Sequence, residues 1–174
     1  MRRLTMLTPR GVASPGIALR KHALDALLIF VGATCFAVNA FAPSYRVIDD
    51  AYISYRYSKH LAQGYGLVWN QGEGPVEGYT NFLLVIVEAP FIALGVDPLR
   101  VAQAYSLASI LGIAALLWLL TRGRLGPARH AGGALSVLLF LSVPFLPKHA
   151  LIGLETVTFS FHLMLVHWLL VAFS

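Results

Sequence analysis

Long uncharged runs alternate with short polar ones along this chain. Val101–Thr121 is 21 residues without a charge, Ala131–Pro147 is 17 and Thr156–Ser174 is 19. An earlier apolar run, Leu24–Ala42, follows a basic N-terminus. A helix that crosses a bilayer needs roughly 20 apolar residues, with a floor near 17. A buried helix of a soluble domain explains one such run but not the set. The pattern therefore predicts an all-α integral membrane protein with several spans.

The segment Thr80–Gly95 departs from this. It has 16 residues and carries Glu88 and Pro90. A carboxylate at mid-bilayer costs about 2.5–3.5 kcal/mol on insertion scales, and proline removes a backbone hydrogen bond. Both favour a helix lying at the surface or dipping partway in. Charge agrees. Without a crossing here, the N-terminal cations share a side with Arg122, Arg124 and Arg129, and that side holds eight of the 13 Lys and Arg. With a crossing the split is seven to six. Cytoplasmic flanks collect Lys and Arg, so the non-crossing arrangement is predicted, with the N-terminus in the cytoplasm of an inner or plasma membrane. The predicted organisation is a cytoplasmic segment 1–23, about four spans (24–42, 99–121, 131–147 and 155–174), a cytoplasmic loop 122–130, and external segments 43–98 and 148–154. The first external segment holds juxtamembrane helices near 49–63 and 80–94.

Composition reinforces the picture. Hydrophobic residues make up 57% of the chain and charged ones 12%, about half the charge of a soluble domain. Five of the 13 cations precede the first apolar run, so the net charge of +5 implies contact with membrane lipid and no nucleic-acid partner. The single cysteine, Cys35, excludes a disulfide within the chain and any Cys-based metal site. Ala40-Phe41-Ala42 has the look of a signal cleavage site, but Pro43 would follow the cut. An uncleaved anchor is expected.

Candidate chemistry gathers in the polar stretch Asp49–Phe82. Ile53, Tyr57 and Leu61 fall at helical spacing, and Gly64 and Gly66 end the pattern. Asp49 and Asp50 thus stand at a helix N-terminus, where a single cap accounts for one of them. A carboxylate balanced between a like-charged neighbour and helix-terminal N–H groups can accept a proton from an attacking hydroxyl. Arg46, Arg56 and Lys59 can neutralise a phosphate. Tyr52, Tyr55, Tyr57, Tyr65, Trp69 and Tyr79 offer flat faces for sugar rings, or an interfacial aromatic belt. The turn-rich Asn70–Asn81 re-aims the chain, and Thr80 or Asn81 is a plausible cap for the next helix. Glu155 in Gly153–Thr156 opens the last helix, where the dipole favours it; the alternative is that it faces Asp49 across a cavity. His162 and His167 are five apart and read as packing residues rather than metal ligands. A phosphate-binding Walker loop, a dinucleotide fingerprint and a nucleophile elbow are all missing from the sequence.

These residues resemble the first external loop of bacterial polytopic glycosyltransferases with the GT-C fold, most closely the arabinofuranosyltransferase-like group that includes flagellar motor control proteins. The resemblance is carried by Asp49–Tyr57, Gly64–Asn70 and Val76–Asn81, with Gly153–Thr156 similar to an element at the outer start of a later span. It runs tightly through Asp49–Phe82 and loosely elsewhere. It implies a GT-C-like bundle that transfers a sugar, arabinofuranose among the options, from a polyprenyl-phosphate donor to a hydroxyl of a glycan or other acceptor. Asp49 is then the general base, with Asp50 as second choice, and Tyr52, Arg56, Lys59, Tyr79, Asn81 and Glu155 contact substrates. No cofactor or metal is expected, although an acidic pair has the chemistry to recruit a divalent cation. Family members exceed 174 residues, so this chain is expected to be the N-terminal part of such an enzyme. Two other functions remain open: a non-catalytic assembly partner, and a transporter or channel subunit that uses Glu88 within the membrane.

Overall fold

The computed structural model describes residues 15–41, 48–124 and 129–173. All regular structure among them is helical: α1 (Pro15–Ala40), α2 (Asp49–Ala62), α3 (Phe82–Ala93), α4 (Pro98–Arg124), α5 (Arg129–Leu141), α6 (Leu146–Leu151) and α7 (Thr156–Phe173). Among the described residues, three segments are long and apolar enough to cross a membrane: His22–Ala40, Pro98–Thr121 and Thr156–Phe173. Their outward side chains stay exposed, among them Phe30, Val38, Leu111, Leu163 and Leu170. Water would not tolerate so continuous an apolar surface on a folded monomer; this is the surface of a membrane protein.

The fourth expected span, 131–147, is not one helix. Arg129–Leu141 gives 13 helical residues, about 20 Å of rise against roughly 30 Å of hydrocarbon. The chain then breaks around Pro144, which has no N–H and disfavours helix at Val143 before it. It resumes as α6, whose first turn carries Pro147. Residues 148–151, expected in an external loop, therefore belong to this short helix.

Packing sets the order of the elements. Ile110, Ile113, Val137, Leu141, Leu146, Ala150 and Val157 form the main apolar core, joining α4, α5, α6 and α7. Small residues let the backbones close. A side chain at Gly32 would meet the Leu138 backbone at 3.0 Å, and one at Gly133 would meet the Trp118 ring at 3.0 Å. Gly112 likewise receives Phe161. Small residues at helix contacts are the usual solution in membranes. Gly133, early in α5, meets Trp118 late in α4, while Leu141 at the end of α5 shares the core cluster with Ile110 and Ile113 farther back in α4, so the two helices run antiparallel. Gln103 donates to the Leu151 carbonyl at 2.9 Å, and Tyr105 meets His162 farther along. So α4 and α7 start at the same end and run the same way. A second cluster at that end (Ala51, Tyr55, Leu84 and Ala102) seats α2 and α3 on the start of α4.

Both helices end on a glycine for the same reason. Gly64 (φ 83°) and Gly95 (φ 82°) take the left-handed conformation. Behind them, Tyr65 N–H donates to the His60 carbonyl and Gly64 N–H to that of Leu61; Val96 and Gly95 do the same to Phe91 and Ile92. Each set satisfies two otherwise orphaned helix carbonyls.

Candidate functional site

The buried face of α2 is Ala51, Ser54, Tyr55 and Ser58, with Tyr57 and His60 turned toward the following loop. Of the stripe Ile53, Tyr57 and Leu61 that spacing picks out, Tyr57 is completely buried and Ile53 and Leu61 are half-buried. Small hydroxyl side chains face inward because their partners do too. Ser54 Oγ and the Asn81 amide exchange contacts at 3.0 and 2.7 Å, and the same amide donates to Glu155 Oε2 at 3.1 Å. Asn81 precedes the first residue of α3 but makes no side-chain cap; its amide is spent on joining α2 to the start of α7. Glu155 stands one residue before α7, where its carbonyl accepts from Phe159 N–H at 2.8 Å and from the Thr158 hydroxyl at 2.7 Å. Tyr55 reaches the Gly153 carbonyl at 3.4 Å. A side chain at Gly153 would collide with that hydroxyl. Burial, then the nearby Glu88 and Asp97, push the Tyr55 hydroxyl well above its ordinary range.

Glu88 lies about two turns past Asn81 on α3. It is completely buried, and Ser58 Oγ sits 2.7 Å from its Oε2. Ser58 Oγ is also 2.9 Å from the Ser54 carbonyl oxygen. One hydroxyl proton cannot serve both acceptors. If it goes to the carbonyl, the carboxyl must supply the other proton, and a complete chain runs from Glu88 through Ser58 to Ser54. Among the described residues Glu88 Oε1 has no hydrogen-bond partner, a cost that is small for a neutral acid and large for a carboxylate. Burial accordingly pushes the Glu88 carboxyl up to about 7, with the Ser58 hydrogen bond pulling the other way.

The loop 63–81 is fastened by α2. Arg56 donates to the Trp69 carbonyl and to Asn70 Oδ1, each at 2.7 Å, and its guanidinium stacks 4.3 Å over the Trp69 ring. Tyr57 is buried and donates to the Val76 carbonyl at 2.7 Å. His60 Nδ1 is 2.8 Å from the Val68 carbonyl oxygen. Tyr79 packs edge-on to Tyr57 and alongside Phe82.

Two cavities flank this junction. One, of about 520 Å³, is lined by Tyr52, Arg56, Lys59 and His60 of α2 together with Asp97 and Leu99. The other, of about 740 Å³, lies between the start of α3, α4 and α7 and includes Asn81, Tyr105, Glu155 and His162. The substrate-binding candidates thus divide: Tyr52, Arg56 and Lys59 at the first, Asn81 and Glu155 at the second, and Tyr79 packed against the loop. Asp49 and Asp50 are exposed in the first turn of α2. Ile48 occupies the cap position instead of either of them, and neither carboxylate lines either cavity. Glu155 faces Asn81.

No family model, curated protein or solved structure matches this chain. What the chain does must be argued from its own geometry. Among the described residues, no three His, Cys, Asp or Glu side chains gather as a metal site requires. Sequence reasoning passed over Ser54, Ser58 and the Tyr105–His162 contact. The i, i+4 serine pair on an otherwise aromatic helix was the available signal for the first two. Nothing in the sequence pairs residues 105 and 162.

Proposed function

We propose that the chain is the N-terminal part of a GT-C-type membrane glycosyltransferase, moving a sugar from a polyprenyl-phosphate carrier to an acceptor hydroxyl on the external face. The observation that supports it best is the meeting of three separated motifs on one amide: Asn81 of "VEGYTN" bonds Ser54, which follows the acidic pair, and Glu155 of "GLET". Motifs far apart in sequence that close on one junction between two cavities are what a two-substrate site needs.

In this reading the chain makes four crossings. Helices α4 and α7 run the same way, so the segment between them must return, and α5 with residues 142–151 is that return. Helix α3, at 12 residues, is too short to cross and lies along the outer interface. The phosphate of the donor occupies the cavity with Lys59 and Arg56. Lys59 is the better phosphate partner, since Arg56 is already spent on Trp69 and Asn70. The acceptor oxygen attacks the anomeric carbon and its proton passes to Asp49. The bond from that carbon to the carrier's phosphate oxygen breaks, and polyprenyl phosphate leaves. Holding donor and acceptor in one geometry is a large part of any such rate enhancement.

A non-catalytic assembly partner is the second reading, favoured by the absence of Asp49 and Asp50 from both cavities. The transporter reading is disfavoured, because Glu88 faces Ser58 rather than an opening. Transfer of label from a polyprenyl-phosphoryl sugar, measured in membranes carrying the protein, separates the first two. Transfer that falls by about 100-fold or more in Asp49→Asn, at unchanged expression, supports the enzyme. Transfer that is absent, or indifferent to that substitution, leaves the assembly reading.

A further inference from the structure

The larger cavity differs in kind from the one beside α2. Its walls are apolar, from Phe82, Leu83, Leu84 and Phe159. Its volume of about 740 Å³ falls in the range that holds a small-molecule ligand. It sits between two parallel helices, each long enough to span a membrane, and both of its inner polar residues lie six or seven positions into those helices, about 10 Å from their starts. Any molecule reaching it from the bilayer brings a tail that suits those walls.

The polar groups define the head. Glu155 is oriented through the Asn81 amide, which engages Oε2 at 3.1 Å and leaves Oε1 as an acceptor. His162 Nδ1 is 2.6 Å from the Thr158 carbonyl oxygen, which can only accept, so Nδ1 carries the proton. Its Nε2 is then the acceptor for the Tyr105 hydroxyl at 3.1 Å. That spends the only proton Tyr105 has and leaves its oxygen lone pairs toward the cavity. The polar set therefore offers the Glu155 and Tyr105 oxygens as acceptors and the Thr80 and Thr156 hydroxyls as donors or acceptors, and it carries one carboxylate. No lysine or arginine is among the residues that line it. The neighbouring cavity has the opposite character, with Arg56 and Lys59 in its wall.

From this charge complementarity we infer that the cavity between α3, α4 and α7 binds a membrane amphiphile with an uncharged, hydroxyl-bearing head, and rejects the phosphate-headed lipids around it. Hydroxyl protons satisfy the Glu155 and Tyr105 acceptors. A phosphate there would face a carboxylate with no cation to offset it, in a low-dielectric setting that strengthens the repulsion. The site stands whether or not the chain belongs to a transferase.

The test uses the whole chain in lipid nanodiscs and three photoreactive probes sharing one alkyl tail: a glucoside head, a phosphate head and a quaternary ammonium head. Cross-linked residues are read by mass spectrometry. The glucoside is expected to label Phe82, Leu83 or Phe159 at a concentration at least tenfold below that of the phosphate probe. Tyr105→Phe leaves the ring in place but frees His162 Nε2, and should weaken glucoside labelling severalfold. Leu83→Trp, at an exposed position, should fill the cavity and abolish labelling while leaving the fold unchanged by circular dichroism. Glu155→Gln should narrow the preference against phosphate. Equal or better labelling by the phosphate probe overturns the inference, as does labelling that Leu83→Trp does not remove. A clear preference for the ammonium probe also overturns it, since Glu155 would then be reading a cation.

Discussion

Glu88 is the residue whose environment departs furthest from its chemistry. A carboxyl with no exposed surface and one hydroxyl beside it is stable as the neutral acid. Its folded value near 7 lies above the ordinary value of 4.5. The folded state therefore holds the proton more tightly than the unfolded state. The stability from this group is fully present below about pH 4.5 and is lost as pH rises through about 7. The swing is on the order of 3 kcal/mol. Glu88→Gln keeps the contact with Ser58 and cannot ionise. Thermal unfolding in detergent between pH 5 and 8 should show wild type losing stability with pH and the glutamine variant flat over the same range. Parallel curves would mean that Glu88 is ionised in the fold.

Helix α3 is apolar on both sides. Leu84, Val85 and Ala89 are buried together with Glu88, its one charged residue, while Phe82, Leu83, Ile86 and Phe91 are exposed. A lipid interface accounts for the exposed apolar side, while the buried side packs against α2 and the start of α4. Spin labels at Ile86 and Phe91, in a chain with Cys35→Ala, should collide more often with oxygen than with a water-soluble nickel complex. The reverse ratio would put this face in water. The break between α5 and α6 belongs to the same scale. Pro144 is a helix breaker by its chemistry, but the expected span 131–147 rested on the length of the apolar run alone. Run length reports hydrophobicity, whereas proline reports the backbone, and here the backbone decided.

Across the whole molecule, close backbone approaches hold the long helices together. Water contributes no driving force inside a membrane, so contact area and fit must supply it. Gly32 packs against the backbone of Leu138, which cannot swing aside as a side chain can. Gly32→Val should therefore cost about 1–3 kcal/mol, seen as earlier loss of the monodisperse peak on heating in detergent. A variant with unchanged behaviour would mean that α1 and α5 separate freely.

The sequence by itself determined the helical class, the presence of long apolar segments, and the ends of α2 and α3. These features follow from local physics: hydrophobic run length, and glycines that alone take the left-handed turn cheaply. It also marked Asp49–Asn81 and Gly153–Thr156 as distinctive. It could not say that Asn81 joins Ser54 to Glu155, that Ser58 meets Glu88, or that Ser54 and Ser58 are buried on α2 while Ile53 and Leu61, which share a stripe with the buried Tyr57, are only half-buried. Those contacts link residues 27, 30 and 74 positions apart. A polar group is stable in a core only if its partner arrives there too. Which partner arrives depends on how the helices cross, and that is settled by the tertiary structure.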